Sequence, residues 1–386
     1  MATFRGYRRP DGRVGVRNHV IVVNATAETG PMVRRIAQAT PGVVPLVHQH
    51  GYAQFPEDAD QTFRTLVGNA AHPNVAAALF VGLGDGSDRA EEMAQAVCDL
   101  KGRARALCLG DFASTESLVE EAHRWLSDAL EEAAAVERTP ADTSELIVGL
   151  ECGGSDGWSG ITANPAMGEA SDLIVAAGGT VILSETPEAI GAEHILARQA
   201  ESVEVAAAFL RIVAQYEERI KAAGSDIRAA NPSPGNVRGG ITTLDEKSLG
   251  CIKKGGSTPL REVLRYAERP TKNGFVFMDT PGYDVDSVSG MTAGGAQIVL
   301  FSTGRGSPTG SPIAPVIKIG TNSRLYERMP DHIDVNAGVI LEGKGTPKSV
   351  GEEIFRLVHA VADGALSCAE RHGHAEFSIW RLAETI

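Results

Sequence analysis

The chain has 386 residues, 43% hydrophobic and 22% charged, with 43 glycines, 5% aromatics and a formal net charge of −13. That length predicts two domains; the composition excludes a disordered polypeptide and favours α/β layers with tight loops over an aromatic-rich sandwich. So acidic a balance argues against nucleic acid or an anionic membrane as the main partner, yet a few clustered Arg and Lys residues still suffice for a small anionic substrate.

Residues 1–18 are polar and Arg-rich and lack the apolar core of a signal peptide, and no apolar run reaches the length of a membrane span. Five cysteines (Cys98, Cys108, Cys152, Cys251 and Cys368) form no CxxC pair, which suits reduced thiols and a cytoplasmic location. In chain order, β-branched runs ending in small or polar residues stand at 19–24 (HVIVVN), 43–48, 76–84 (AAALFVGLG) and 105–111. Helical patterns fill 30–39, 87–100 and 114–134. Alternation of this kind builds a parallel sheet covered by helices. The polar, proline-bearing stretch at 136–144 sets the expected boundary, giving an N-terminal α/β domain at 1–140 and a C-terminal α/β catalytic domain at 141–386. Further buried strands are expected at 146–150, 180–183, 275–278, 297–301 and 315–319, helices at 187–223, 259–268 and 350–365, and a long loop at 224–240. The expected fold class is therefore α/β, two domains, each with a mostly parallel sheet flanked by helices.

In open α/β sheets the ligand lies beyond the carboxyl ends of the strands, so the residues that follow each strand are site candidates. These are ECGGSD at 151–156 with SGITANP at 159–165, SETPE at 184–188 with Glu193 and His194 after it, DTPG at 279–282, STGRGSP at 302–308 and GTNS at 320–323. Five consecutive polar strand ends favour one shared cleft. Their glycines let backbone N–H groups approach an anion, and Arg305 can grip a carboxylate with two donors. Neither a P-loop nor a GxGxxG turn is present, which excludes the usual nucleotide fingerprints. His48 and His50 stand two apart, so on an extended segment they project to one side and can share a metal. His372, His374 and Glu376 form a second metal-like run. DEKSLG at 245–250 with KKGG at 253–256 sets lysines among carboxylates and glycines, suited to a base or to polarising a substrate carboxylate.

These motifs together resemble the altronate/galactarate dehydratase family. The resemblance rests on GYRRPDGRVGVRN, HPNV with VGLG, ECGGSDGWSGITANPA, SETPEAIGAEHIL, SPGN with GGITTLDEKSLG, DTPG, FSTGRGSP and DVNAG, in that order from about Phe4 to Trp380. The family also includes the large subunit of sulfolactate sulfo-lyase. It implies an enzyme that removes water, or in that relative sulfite, from a 2-hydroxy acid to leave a 2-keto acid. It also implies a small β-rich partner, carried by some members as an N-terminal domain and by others as a separate chain, and a homo-oligomer is expected. Many relatives have cysteines after the first strand, in the His-rich loop and after VGLG, where this chain has Asn24, Ala25 and Thr26, then His50, Gly51 and Tyr52, then Gly84, Asp85 and Gly86. The resemblance implies Fe2+; with those thiols absent, a His or Asp set would suit Mn2+ or Mg2+.

Elimination from a 2-hydroxy carboxylate needs a base for the α-proton, donors for the enolate charge and an acid for the leaving hydroxyl. The expected base is Lys247 or His194, with Glu246 orienting the lysine and Asp156 or Glu185 acting on the leaving group. Ser155, Asn164, Thr303, Arg305 and Asn322 are expected to hold the substrate, and His48, His50 and Cys152 a metal. The expected activity is dehydration of an altronate- or galactarate-like acid to a 2-keto-3-deoxy acid. The alternatives are a C–S lyase acting on sulfolactate and a non-catalytic sugar-acid-binding homologue.

Overall fold

A computed structural model describes residues 3–385. Its strands are β1 (Thr3–Arg8), β2 (Val14–Gly15), β3 (His19–Asn24), β4 (Val43–Leu46), β5 (Val75–Gly82), β6 (Ala104–Cys108), β7 (Thr139–Asp142), β8 (Ile147–Cys152), β9 (Thr180–Leu183), β10 (Leu260–Leu264), β11 (Gly274–Met278), β12 (Ile298–Thr303), β13 (Val316–Gly320) and β14 (Val335–Asn336). β11 reads GFVFM and is buried at every residue; such unbroken apolar runs suit strands covered on both faces.

Two parallel sheets result. The first has order β4-β3-β5-β6 and the second, seven-stranded, has order β10-β11-β9-β8-β12-β13-β14. A three-stranded antiparallel sheet, β2-β1-β7, joins the start of the chain to the segment between them. In the large sheet the chain first builds outward from β8 through β9 to β10 and β11, then crosses back to β12 on the other side of β8. The reversal makes the gap between β8 and β12 the switch point, where open sheets place their ligands.

Apolar side chains fill both faces of each sheet. Helices Ala163–Ala176, Val203–Ala222 and Pro347–Ala362 cover one face of the large sheet, and helix Asp284–Ala293 covers the other. The first sheet lies between helices Gly30–Ala39 and Thr115–Ala135 on one side and Pro56–Ala70 and Ala90–Asp99 on the other, where Ile379 of the C-terminal tail also packs. Among the described residues, no helix is long and apolar enough to cross a membrane.

Three expectations are corrected. Within 259–268 the chain forms not a helix but the edge strand β10 (Leu260–Leu264), paired in parallel with β11. Leu260 and Leu264 are spaced as on a helix face, and pairing with β11 overrides that pattern. The helix expected at 187–223 breaks into a turn at Thr186–Glu188, a helix at Glu193–Gln199 and a long helix that restarts where Ser202 Oγ accepts from Val205 N at 3.3 Å. The expected loop at 224–240 carries two short helices, Ile227–Ala230 and Pro234–Arg238.

Candidate active site

At the switch point Cys152 ends β8, and Gly153 N donates to Ser302 O at 3.0 Å across to β12. A Cβ on Gly153 would lie 2.1 Å from Asp284 Oδ2 and 2.5 Å from the Phe301 ring, so only glycine lets the loop pass. After β9, Glu185 takes a left-handed conformation with φ of 68°. That conformation costs a non-glycine residue roughly 1–2 kcal/mol. It is held by Thr280, whose Oγ1 accepts from Glu185 N at 2.8 Å and whose carbonyl accepts from Thr186 N at 3.0 Å.

The result is a buried knot of acids, thiols and lysines. Ligand atoms of Cys152, Glu185, Glu188 and Cys251 lie within 4.8 Å of one another, and all four residues are buried. The two sulfurs are 3.8 Å apart, and Cys152 Sγ lies 3.4 Å from Glu188 Oε2. Lys254 pairs with Glu185 and is wholly buried; Lys247 pairs with Glu188 and also donates to Asn231 Oδ1 at 3.1 Å. Burial works against both lysine charges, but Glu188 beside Lys247, and the Cys152 and Cys251 sulfurs with Glu185 and Glu151 around Lys254, outweigh it and hold both ammonium groups above their ordinary range. Burial pushes Glu185 up to about 7 even with Lys254 beside it. The neighbouring Cys251 thiol and burial both keep Cys152 protonated.

On the opposite face of β8 lies a second layer. Register places Glu151 and Lys318 on either side of Phe301, on adjacent strands. Ser287 Oγ donates to Glu151 Oε2 at 2.6 Å, and burial drives this carboxyl well above its usual range. Lys318 Nζ sits 3.4 Å from the Phe301 ring centroid and donates to Thr309 O; burial lowers it to about 7. Asp284, raised by burial, stands between these layers at Gly153.

The structure brings Cys152, Glu185 and Lys247 together and puts the other sequence candidates elsewhere. Glu246 is exposed and accepts from Thr242 N at 2.7 Å, so it does not orient Lys247; neighbours on a helix point about 100° apart. His194 lies on the exposed side of its helix. Asp156 is saturated inside the loops, accepting from Thr321 Oγ1 at 2.9 Å, Asn322 Nδ2 at 3.2 Å, and Ser159 Oγ and Trp158 N at 3.1 Å. Asn322 also caps helix Ser323–Arg328, its Oδ1 taking Leu325 N at 2.8 Å. Thr303 Oγ1 accepts from Gly306 N and Ser307 N at 3.0 Å, and Ser155 O accepts from Asn236 Nδ2 at 2.9 Å. Asn164 spans Ser302 Oγ at 2.6 Å and Gly250 O at 3.0 Å. Arg305 is exposed and reaches Gly154 O at 3.4 Å. These residues chiefly clasp the strand-end loops to one another.

His48 and His50 do not join Cys152 in the cluster. They follow β4 in the first sheet, where His48 Nε2 donates to Asn24 O at 2.8 Å and its Nδ1 accepts from His50 N at 3.1 Å. Both nitrogens of His48 are thus committed to the backbone. Cys251, Lys254 and Glu188 take the places beside Cys152. Glu188 and Lys254 lie in the SETPE and KKGG motifs singled out from the sequence and Cys251 two residues ahead of the latter, but which acid met which lysine depended on tertiary packing.

A family profile described as D-galactarate/altronate dehydratase, C-terminal, matches residues 143–385, and one described as D-galactarate dehydratase/altronate hydrolase, second domain, matches residues 6–134. The altronate dehydratase of Bacillus subtilis (strain 168) is 36% identical over 100% of this chain and 78% of its own length. The galactarate dehydratase (L-threo-forming) of Escherichia coli (strain K12) is 36% identical over 94% of this chain and 73% of its own. Subunit beta of the (2R)-sulfolactate sulfo-lyase of Chromohalobacter salexigens is 35% identical over 99% of this chain and 98% of its own. With both profiles and likeness across its length, the chain belongs to the D-galactarate/altronate dehydratase family.

Proposed function

We propose that this chain is a hydro-lyase that dehydrates a sugar acid with hydroxyls at C2 and C3 to a 2-keto-3-deoxy acid. The observation that carries the reading is the buried lysine–carboxylate–thiol knot at the switch point of a chain alike in sequence to altronate and galactarate dehydratases.

The donor set fits a divalent cation. Cys152, Cys251 and Glu185 would hold it. Two thiols favour a borderline ion such as Fe2+ or Zn2+ over Mg2+ or Mn2+, which prefer oxygen. Such an ion supplies Lewis acidity toward the substrate's oxygens.

The rest falls to side chains. Glu188 takes the α-proton, the C2–H electrons form the C2–C3 double bond, and the C3–O bond breaks. The departing hydroxyl takes a proton from the Lys247 ammonium and leaves as water. The enol then tautomerises to the 2-keto acid. Lys254 stays paired with Glu185 and offsets the negative charge gathered in a water-poor site. In this scheme Lys247 is the acid, because its ion pair keeps it charged.

The test is a keto-acid assay over aldonic and aldaric acids with metal-free protein, and with Fe2+, Zn2+, Mn2+ or Mg2+ restored. Turnover of one sugar acid upholds the reading; inactivity across the panel overturns it. A second reading, sulfite release from a sulfolactate, is favoured by the 98% coverage of the sulfo-lyase subunit, and sulfite in the same assay would establish it. The assay is run with and without a companion subunit, since the relative's name marks it as one subunit of a larger enzyme.

A further inference from the structure

The geometry points to a second metal site, remote in sequence from the buried knot, formed by Asp331, His332 and His372, with His374 beside them. It would bind a borderline divalent cation of the Zn2+ class. One ligand atom from each of Asp331, His332 and His372 lies within 4.8 Å of the others. Asp331 Oδ2 stands 3.5 Å from His372 Nε2 and 3.9 Å from His332 Nε2. Ligands about 2.1 Å from a tetrahedral Zn2+ are separated by about 3.4 Å, so small adjustments close the site.

Three features favour a metal over a chance grouping of surface histidines. The His332 and His372 rings are stacked with centroids 4.3 Å apart, an arrangement unfavourable to two imidazolium cations and suited to neutral rings with lone pairs to give. His374 joins the stack at 5.4 Å from His332 and 5.8 Å from His372. His332 Nδ1 and His374 Nδ1 are buried without a hydrogen-bond partner, although buried ring nitrogens are normally satisfied.

The rings now lie within 3° of parallel, whereas a metal sits in the plane of each ligating ring. Binding therefore turns at least one ring, and His372, a third exposed, has room to turn. It gives up the contact between its Nε2 and Asp331 O at 3.1 Å in doing so. The site joins the loop after helix Ser323–Arg328 to the tail. That tail runs on through Glu376, whose Oε2 accepts from Gly310 N at 2.7 Å, to Ile379 in the core of the first sheet. A metal here would fasten the tail and need have no part in the chemistry.

The experiment is a Co2+ titration of the metal-free full chain, read by visible absorption and by bound-metal content after dialysis. Wild type, H332A/H372A and C152S/C251S are compared, each first checked for folding by circular dichroism. Cobalt at the histidine site gives d–d bands without the near-ultraviolet thiolate charge transfer expected of the cysteine site. The result expected is one equivalent of thiolate-free cobalt, kept in C152S/C251S and lost in H332A/H372A, with Zn2+ raising the Tm of wild type and not of H332A/H372A. That outcome supports the site even if the buried knot binds no metal. Unchanged thiolate-free cobalt in a folded H332A/H372A, or its absence from wild type, overturns it. H332N/H372N, which preserves side-chain volume and polarity, replaces the alanine variant if that one does not fold.

Discussion

Glu188 and Glu246 divide the sequence reading from the structural one. Both are glutamates near Lys247, but Glu188 is buried and paired with that lysine while Glu246 folds back onto Thr242. With Glu188 as the base, Glu188→Gln lowers kcat by about 100-fold or more, the usual worth of a positioned general base. Glu246→Gln leaves kcat within about two-fold, because an exposed carboxylate with a local hydrogen bond contributes little beyond its own turn. Steady-state kinetics on the two variants check this, and equal losses would return the orienting role to Glu246. Cys152, Glu185 and Lys247 could be singled out in the sequence because the first two stand at strand ends and the third lies in a charged, glycine-flanked motif. KKGG stood out as a charged motif, but nothing in it tells Lys254 from Lys253: the turn at Ile252–Gly255 buries the first against Glu185 and leaves the second exposed.

Elements were legible wherever their pattern was unmixed. Strands β5 and β11, apolar throughout, and β12, apolar up to Ser302, announced themselves, whereas β10 did not: as an edge strand it carries Arg261 and Glu262 half-buried between two leucines, and polar edge residues erase the alternation. Close approaches between elements are equally invisible in one sequence. Gly68 lies in helix Pro56–Ala70, and a Cβ there would meet Ala293 O at 2.5 Å, at the end of helix Asp284–Ala293. Alanine normally improves a helix by about 1 kcal/mol over glycine. Here the neighbouring backbone must move, and overpacking of this kind costs about 1–3 kcal/mol. Gly68→Ala is therefore expected to lower Tm, measured by calorimetry; a raised Tm would show that the two helices separate freely.

At the scale of the whole molecule, the loop before β5 stitches the first sheet to the second. His72 Nε2 donates to Ala296 O at 3.2 Å while its Nδ1 accepts from Asn74 N at 2.9 Å, and Asn74 Nδ2 donates to Gln297 O at 3.0 Å and Ile313 O at 3.1 Å. The imidazole is buried and both of its nitrogens are used in the neutral form, so burial, with Arg13 adding to it, depresses its pKa from the ordinary 6.5 to about 3. The unfolded chain binds a proton here near pH 6.5 and the folded chain does not until about pH 3. The stabilisation is thus fully present above about pH 6.5 and is lost as pH falls through the window below it, levelling only near pH 3. Within that window His72 contributes about 1.4 kcal/mol per pH unit to the slope of unfolding free energy. Urea unfolding at a series of pH values between 7 and 4.5 measures it for wild type and His72→Gln. The variant is less stable at pH 7 but has the shallower slope, the difference approaching one proton below pH 6. Carboxylates titrating in the same range act on both proteins alike, so parallel slopes would mean that His72 is protonated in the folded state and that the seam holds without a neutral ring.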